Sequence, residues 1–273
     1  ARHKDDPGLS INIAPHAPYS VTAEALQASM RLAEELDTTW QIHLSETEEE
    51  RQNAIKEFGC SPVEYLAKLG CLNERTVAVH CVALSDHDIE LLAKSGASVV
   101  HCPVSNMRLG CGASPVVKLL KAGVNVALGT DGAASACSLS MFEQMRTAGL
   151  IAKGFSQDPT QLTVNQIIRM ATINGANALK LDREVGSLAV GKFADLAVID
   201  MSQLVTMPVL DVLSNVIYAV EAQCIHQVWA SGCLVANIQQ EKLLRPDRGK
   251  LLTKSNIMSW QNRVCEILRD DFN

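Results

Sequence analysis

The sequence predicts an α/β fold, part of a parallel β/α barrel, and three observations carry that reading. Short apolar, β-prone stretches alternate with helical ones over roughly the first two thirds of the 273 residues. Strict alternation of this kind means parallel strands joined by right-handed helical crossovers. Polar, metal-capable residues also stand where successive apolar stretches stop: His16, His43, His80 and Asp131. One rim of such a barrel is where its chemistry sits. Near residue 181 the pattern then changes to β-prone segments separated by glycine turns, so a small β domain is expected over 181–240.

The elements follow in order. Leu9 to Ala14 is apolar and β-prone and is broken by Pro15-His16-Ala17-Pro18. Thr22 can cap a helix to about Glu35, with Ala25, Leu26, Met30 and Ala33 at helical spacing. Thr39 to His43 is the next strand, and Thr47 to Phe58 a charged helix. Ser61-Pro62-Val63-Glu64 is a capping box with proline at the first helical position, and Gly70 closes that helix. Arg75 to His80 is a strand. Ser85 starts a helix that Gly96 ends, and Ala97 to Cys102 is a strand followed by a loop on the active face whose Ser105 and Asn106 are candidates for shaping the pocket. Ser114-Pro115 opens a helix stopped by Gly123. Val124 to Gly129 is the fifth strand, and Leu139 to Lys153 a long helix. Helices are expected near Val164–Ala171 and Asn174–Leu179. Gly186 to Asp200 and His226 to Val235 read as β, the latter turning at Ser231-Gly232, and Leu251 to Asp271 reads as a closing amphipathic helix.

Composition narrows the function classes. Apolar residues make up 47% of the chain, which suits a parallel sheet buried on both faces. No apolar run reaches the roughly 18–20 residues needed to cross a bilayer. The formal charge of −6 argues against a nucleic-acid backbone as partner. Nine cysteines, an odd number with no Cys-x-x-Cys, read as reduced thiols of a cytosolic enzyme.

The candidate site residues each have two readings. A histidine such as His43 at a strand end can offer a ring nitrogen to a metal. Taken alone it reads first as a core histidine satisfied by a backbone carbonyl. Glu46, three residues on, can lean over the same metal and move a proton between water and substrate, or simply face a helix dipole. His80 can ligate metal or hold the attacking water. Asp131, between Thr130 and Gly132, can bind metal and take a proton from that water, or serve as a turn residue. His16, between two prolines, can contact substrate. His3, His87, His101 and His226 are weaker candidates, and His101 is expected to face the helices.

Together these motifs resemble the amidohydrolase superfamily, in its branch of aminohydrolases and chlorohydrolases that act on purine-like and triazine rings. The match runs from Ala14-Pro-His-Ala-Pro-Tyr19 to the Gly186–Asp200 segment. His43-x-x-Glu46, Val79-His80-Cys81, Cys102-Pro-Val-Ser-Asn106 and Leu128-Gly-Thr-Asp-Gly132 stand in the family's order and spacing. The resemblance implies a hydrolytic deaminase of adenosine-type thioethers (5′-methylthioadenosine, S-adenosylhomocysteine), releasing ammonia by attack of metal-bound hydroxide at purine C6. Guanine, a triazine or another heterocycle is the alternative ring, and an inactive barrel scaffold the alternative class. It implies one divalent metal, zinc or else iron, on His43 and Asp131, with His80 as a further ligand or as the group that holds the water. Asp131 would be the base, Glu46 the acid toward the ring nitrogen, and His16 a contact to the nucleoside. The implied partner is a small nucleoside, with neither nucleic acid nor membrane, and a homo-oligomer is compatible with it. The family's His-x-His pair of further ligands occurs nowhere in this sequence. The chain is therefore expected to be strands four to eight of an eight-stranded barrel over 1–180, half of a small β-sandwich over 181–240 and a helical segment over 241–273, with an N-terminal part lacking.

Overall fold

The computed structural model describes residues 9–237 and 242–243. The closing helix expected over Leu251 to Asp271, and His3, lie outside the described residues. The chain separates into two compact units, with the division between Gly186 and Ser187.

The first unit is an α/β layer. Its strands β1 (Trp40–Leu44), β2 (Thr76–His80), β3 (Ser98–His101) and β4 (Asn125–Leu128) lie side by side in chain order. Every pairing is parallel: Leu44 stands opposite His80, and His101 opposite Leu128. These are short runs of Val, Ile, Leu and Ala, and β2 is buried at every position, as a sheet covered on both faces requires. Trp40 is fully buried, and its indole N–H donates to the Ser29 hydroxyl at 2.8 Å.

Helices connect the strands, and their ends are written in the sequence. Helix α1 (Ala23–Glu35) is capped by the Thr22 hydroxyl and buries Leu26, Met30 and Ala33. Helix α2 (Glu48–Phe58) is capped by Thr47 and stopped by the left-handed Gly59. Helices α3 (Pro62–Lys68) and α4 (Asp86–Ser95) each begin with a full capping box, Ser61/Glu64 and Ser85/Asp88. Buried Asp88 also accepts from the Ser61 hydroxyl, which ties the two caps together. After β3 comes α5 (Pro103–Arg108), then α6 (Val116–Lys121) before β4. The remainder is α7 (Ala133–Ala136), α8 (Met141–Ser156), α9 (Val164–Ala171) and α10 (Ile173–Ala178).

Two expectations need correction. The strand expected over Leu9 to Ala14 makes one isolated parallel bridge, Ile13 to Trp40. The segment still runs beside β1 through bonds from the Ile13 and His43 amides to the Thr39 and His16 carbonyls. Pro15 has no N–H with which to extend the ladder. The loop expected to carry Ser105 and Asn106 is the helix α5, started by Pro103, whose ring pre-sets a helical φ.

The second unit is an antiparallel sheet of β5 (Leu196–Ile199), β6 (Ile225–Ala230), β7 (Cys233–Asn237) and β8 (Lys242–Leu243), in chain order. Of the segment Gly186 to Asp200, the strand occupies only Leu196–Ile199. The β6–β7 hairpin turns at Ser231 and Gly232, both at positive φ, the geometry a tight two-residue hairpin needs. A short helix, α11 (Val212–Tyr218), capped by Asp211, lies between β5 and β6 in the chain. No helix among the described residues is long and apolar enough to cross a membrane.

Candidate active site

The five candidate residues stand at or just beyond the C-terminal ends of parallel strands, or beside them. His43 is the penultimate residue of β1 and Glu46 lies two residues past its end. His80 is the last residue of β2. Asp131 lies three past the end of β4, and His16 on the segment alongside β1. The backbone bends sharply here. Ser45, His80, Cys81 and Asp131 all take left-handed φ between 49° and 74°, a conformation unusual for residues other than glycine and concentrated at functional sites. At the end of β4 the chains also approach closely: a Cβ on Gly129 would stand 2.7 Å from Val100 Cγ1.

Three imidazoles form a row. His16 and His43 meet edge to face with ring centroids 5.2 Å apart, and His43 stacks on His80 at 5.3 Å. His43 Nδ1 donates to the His16 carbonyl at 2.8 Å. A carbonyl only accepts, so the proton sits on Nδ1 and the Nε2 lone pair is left for another partner. The His16 ring is itself held by Ser20, whose Oγ lies 2.7 Å from Nδ1. His80 is buried, with Nδ1 2.8 Å from Asn106 Oδ1 and Nε2 3.9 Å from Glu46 Oε2.

Glu46 is held by Cys111 and Glu50, which sequence reasoning does not select, and Asp131 by Ser105, which it places on the active face. The Cys111 thiol points at Glu46 Oε1 from 3.6 Å. The Glu50 carboxylate accepts from the amides of Ser45 (2.9 Å) and Glu46 (2.6 Å), which fixes the bend that carries Glu46. Burial pushes the Glu50 carboxyl above its ordinary value, against the pull of those amides and with the help of the Glu46 charge. Beside it lies a cavity of about 510 Å³ lined by Tyr19, Glu46, Glu49, Glu50 and Glu57 among others. Asp131 accepts from the Ser105 hydroxyl and the Gly132 amide, each at 2.6 Å. Burial raises its carboxyl, but those two bonds, the nearby His80 ring and a further bond from Ser135 outweigh it and hold Asp131 below the usual carboxylate value. Ser105 and Asn106 are adjacent on α5, so one helical turn supports both His80 and Asp131. The motif Cys102-Pro-Val-Ser-Asn106 was the signal, although spacing alone cannot say what its side chains touch.

Among the described residues no three His, Cys, Asp or Glu side chains gather closely enough to hold a metal ion by themselves. Two positions fit one as part of a larger donor set. His43 has its Nδ1–H anchored on a carbonyl, the outer arrangement typical of a metal-binding imidazole. Asp131 carries its charge at neutral pH, and its carboxylate is oriented by the Ser105 hydroxyl and the Gly132 amide.

The remaining histidines lie elsewhere. His87 is 3.7 Å from Glu64, and His226 lines a groove of the second unit. His101 ends β3 but lines a groove with Val116 and Val117 of α6 and Ala148 and Ile151 of α8, on the helix side of the sheet. It is buried, and its Nδ1 has no partner among the described residues. Burial, and next the proximity of His80, pushes its pKa down to about 3. The folded protein thus holds His101 neutral, while the unfolded chain takes up a proton near pH 6.5. Stability is fully present above about pH 6.5 and falls, by at most about 1.4 kcal/mol per pH unit, as the pH drops toward 3. Thermal melts between about pH 7 and about pH 4 are expected to show a shallower decline for His101→Leu than for the parent; parallel curves would refute this.

Comparison with known proteins adds four matches. The family model described as the amidohydrolase family matches residues 2–235. A 5-methylthioadenosine/S-adenosylhomocysteine deaminase of Teredinibacter turnerae is 43% identical over 230 residues, 84% of this chain and 52% of that protein. A 5′-deoxyadenosine deaminase of Methanothermobacter thermautotrophicus is 41% identical over 83% of this chain and 53% of its own length. The crystal structure of an adenosine deaminase from Xanthomonas campestris with bound zinc superposes with a TM-score of 0.88 at 38% identity, over 97% of this chain and 60% of that one. The chain spans about half the length of the curated relatives it matches.

Proposed function

Because the chain belongs to the amidohydrolase family, we propose that it forms the C-terminal part of a metal-dependent deaminase that removes the 6-amino group of adenosines altered at the 5′ position. The observation that carries this is the row His16–His43–His80 with Glu46 against it, at the ends of neighbouring parallel strands. Residues 1–180 would be strands four to eight of an eight-stranded barrel, 181–240 half of a small β-sandwich and 241–273 a helical segment. The named relatives support the substrate class: 5′-methylthioadenosine, S-adenosylhomocysteine and 5′-deoxyadenosine all lack the 5′-hydroxyl of adenosine.

His43 Nε2 and the Asp131 carboxylate would hold the divalent cation, zinc on the example of the Xanthomonas structure. When bound, such a cation supplies Lewis acidity that brings a water's pKa near about 7. The remaining steps belong to the side chains. Asp131, held ionised, would take the proton from the attacking water. His80 Nε2 would hold the attacking water by accepting a hydrogen bond from its other hydrogen. Glu46 would give its proton to the ring nitrogen beside the attacked carbon, so that charge does not build up on the ring. Asp131 then passes the water's proton to the amino group, the C–N bond breaks and ammonia leaves, while the new C6 hydroxyl gives its proton to Glu46 as the C6 carbonyl forms and the ring nitrogen keeps the proton it received. His16 would contact the bound nucleoside through Nε2, since Ser20 occupies Nδ1.

The test is ammonia release by the whole, zinc-loaded protein from 5′-methylthioadenosine, S-adenosylhomocysteine, 5′-deoxyadenosine, adenosine and guanine. The first three are expected to be preferred. Turnover of guanine alone would move the reading to another ring, and no turnover of any of the five would end it.

A further inference from the structure

We propose that Asn106 is a positioning residue that keeps the His80 imidazole protonated on Nδ1 and so leaves the Nε2 lone pair turned to the reaction centre. Only the kinetic half of the inference rests on the deaminase reading; the position of the proton does not.

Asn106 and His80 are both buried. Asn106 Oδ1 stands 2.8 Å from His80 Nδ1, and an amide oxygen can only accept, so Nδ1 must donate. The other ring nitrogen faces Glu46 Oε2 at 3.9 Å, close enough for both to reach one small molecule between them. A neutral imidazole in water divides its proton between its two nitrogens. With the proton on Nε2 it would offer a donor where the mechanism needs an acceptor for the water's hydrogen.

The asparagine is placed rigidly enough for this role. Its amide N–H donates to the Cys102 carbonyl at 3.0 Å, and its own carbonyl accepts from Cys111 at 2.8 Å. Its side chain is also a poor choice for stability alone. Nδ2 is buried and has no partner among the described residues, and an unmade hydrogen bond on a buried donor is costly. A leucine of similar shape would avoid that cost but would give up the acceptor at Oδ1. What the asparagine provides and the leucine lacks is the bond to His80.

The experiment is 15N NMR of the whole, zinc-loaded protein labelled at histidine, with the His80 signals assigned by their loss in His80→Gln. In a neutral ring the protonated and bare nitrogens resonate far apart. The parent protein is expected to carry the proton on Nδ1, and Asn106→Asp, which keeps an acceptor there, should do the same. Asn106→Leu should let the proton populate Nε2 and lower kcat by about 10- to 100-fold, the usual cost of losing a residue that orients a site imidazole. KM should stay within about threefold, since the lost interaction acts in the transition state. A proton on Nε2 in the parent protein, or an Asn106→Leu variant with unchanged kcat, would overturn the proposal. Should Asn106→Leu not fold, the spectra of the parent and of Asn106→Asp decide. A whole protein that deaminates nothing would remove the deaminase reading and leave the position of the proton still measurable.

Discussion

Asp131→Asn is expected to lower kcat for deamination by about 10²- to 10⁴-fold, the range for losing a positioned base. The substitution is mild in every other respect. Asparagine tolerates the left-handed backbone that position 131 adopts at φ 59°. Its side-chain oxygen can still accept from either the Ser105 hydroxyl or the Gly132 amide, though not from both. What disappears is the negative charge, and with it both a proton acceptor and a cation ligand. Zinc stoichiometry should therefore fall together with kcat, while the thermal midpoint moves little, since the carboxylate is only partly buried. Ser105→Ala is the companion variant. It removes one bond and keeps the charge, so its loss of activity should be much smaller. Assays of ammonia release and bound metal on both proteins check this. An Asn variant within about threefold of the parent would remove Asp131 from the chemistry.

Glu46→Gln should also cost about 10²- to 10⁴-fold in kcat, by a different route. Glutamine has the same shape and keeps an oxygen for the Cys111 thiol. The bend that carries it is held by Glu50 through the backbone, so the side chain should stay in place. It cannot deliver a proton as a carboxylic acid does. Bound zinc should therefore stay at the parent level while turnover collapses, the opposite pairing to that of Asp131→Asn. Loss of metal in Glu46→Gln would show that the residue supports the cation instead of the ring nitrogen.

Much of the first unit is legible in the sequence because its signals are local. The strand ends near residues 44, 80, 101 and 128 coincide with the end of an apolar run, and two capping boxes mark helix starts. The Ser231-Gly232 turn is equally local. Helix α5 escapes such reading because it is six residues long and its N-cap Cys102 makes no capping bond. The segment before Pro15 reads as a strand on composition, but a single bridge forms because the proline ends the ladder. The support of the site is invisible for another reason. Asn106 meets His80 across 26 residues of sequence, as Ser105 meets Asp131. Those contacts exist only because β2, β3 and β4 are laid side by side.

The left-handed turns at His80 and Asp131 restrict which amino acids evolution or an engineer can install there. Histidine, aspartate and asparagine visit that backbone region several-fold more readily than most residues, whereas valine, isoleucine and threonine are strongly disfavoured. The short list that the turn accepts largely overlaps the short list of side chains able to ligate a cation or shuttle a proton. Swapping chemistries at these two positions is therefore conformationally easy, but abandoning chemistry for a branched apolar residue would require the rim of the sheet to be rebuilt.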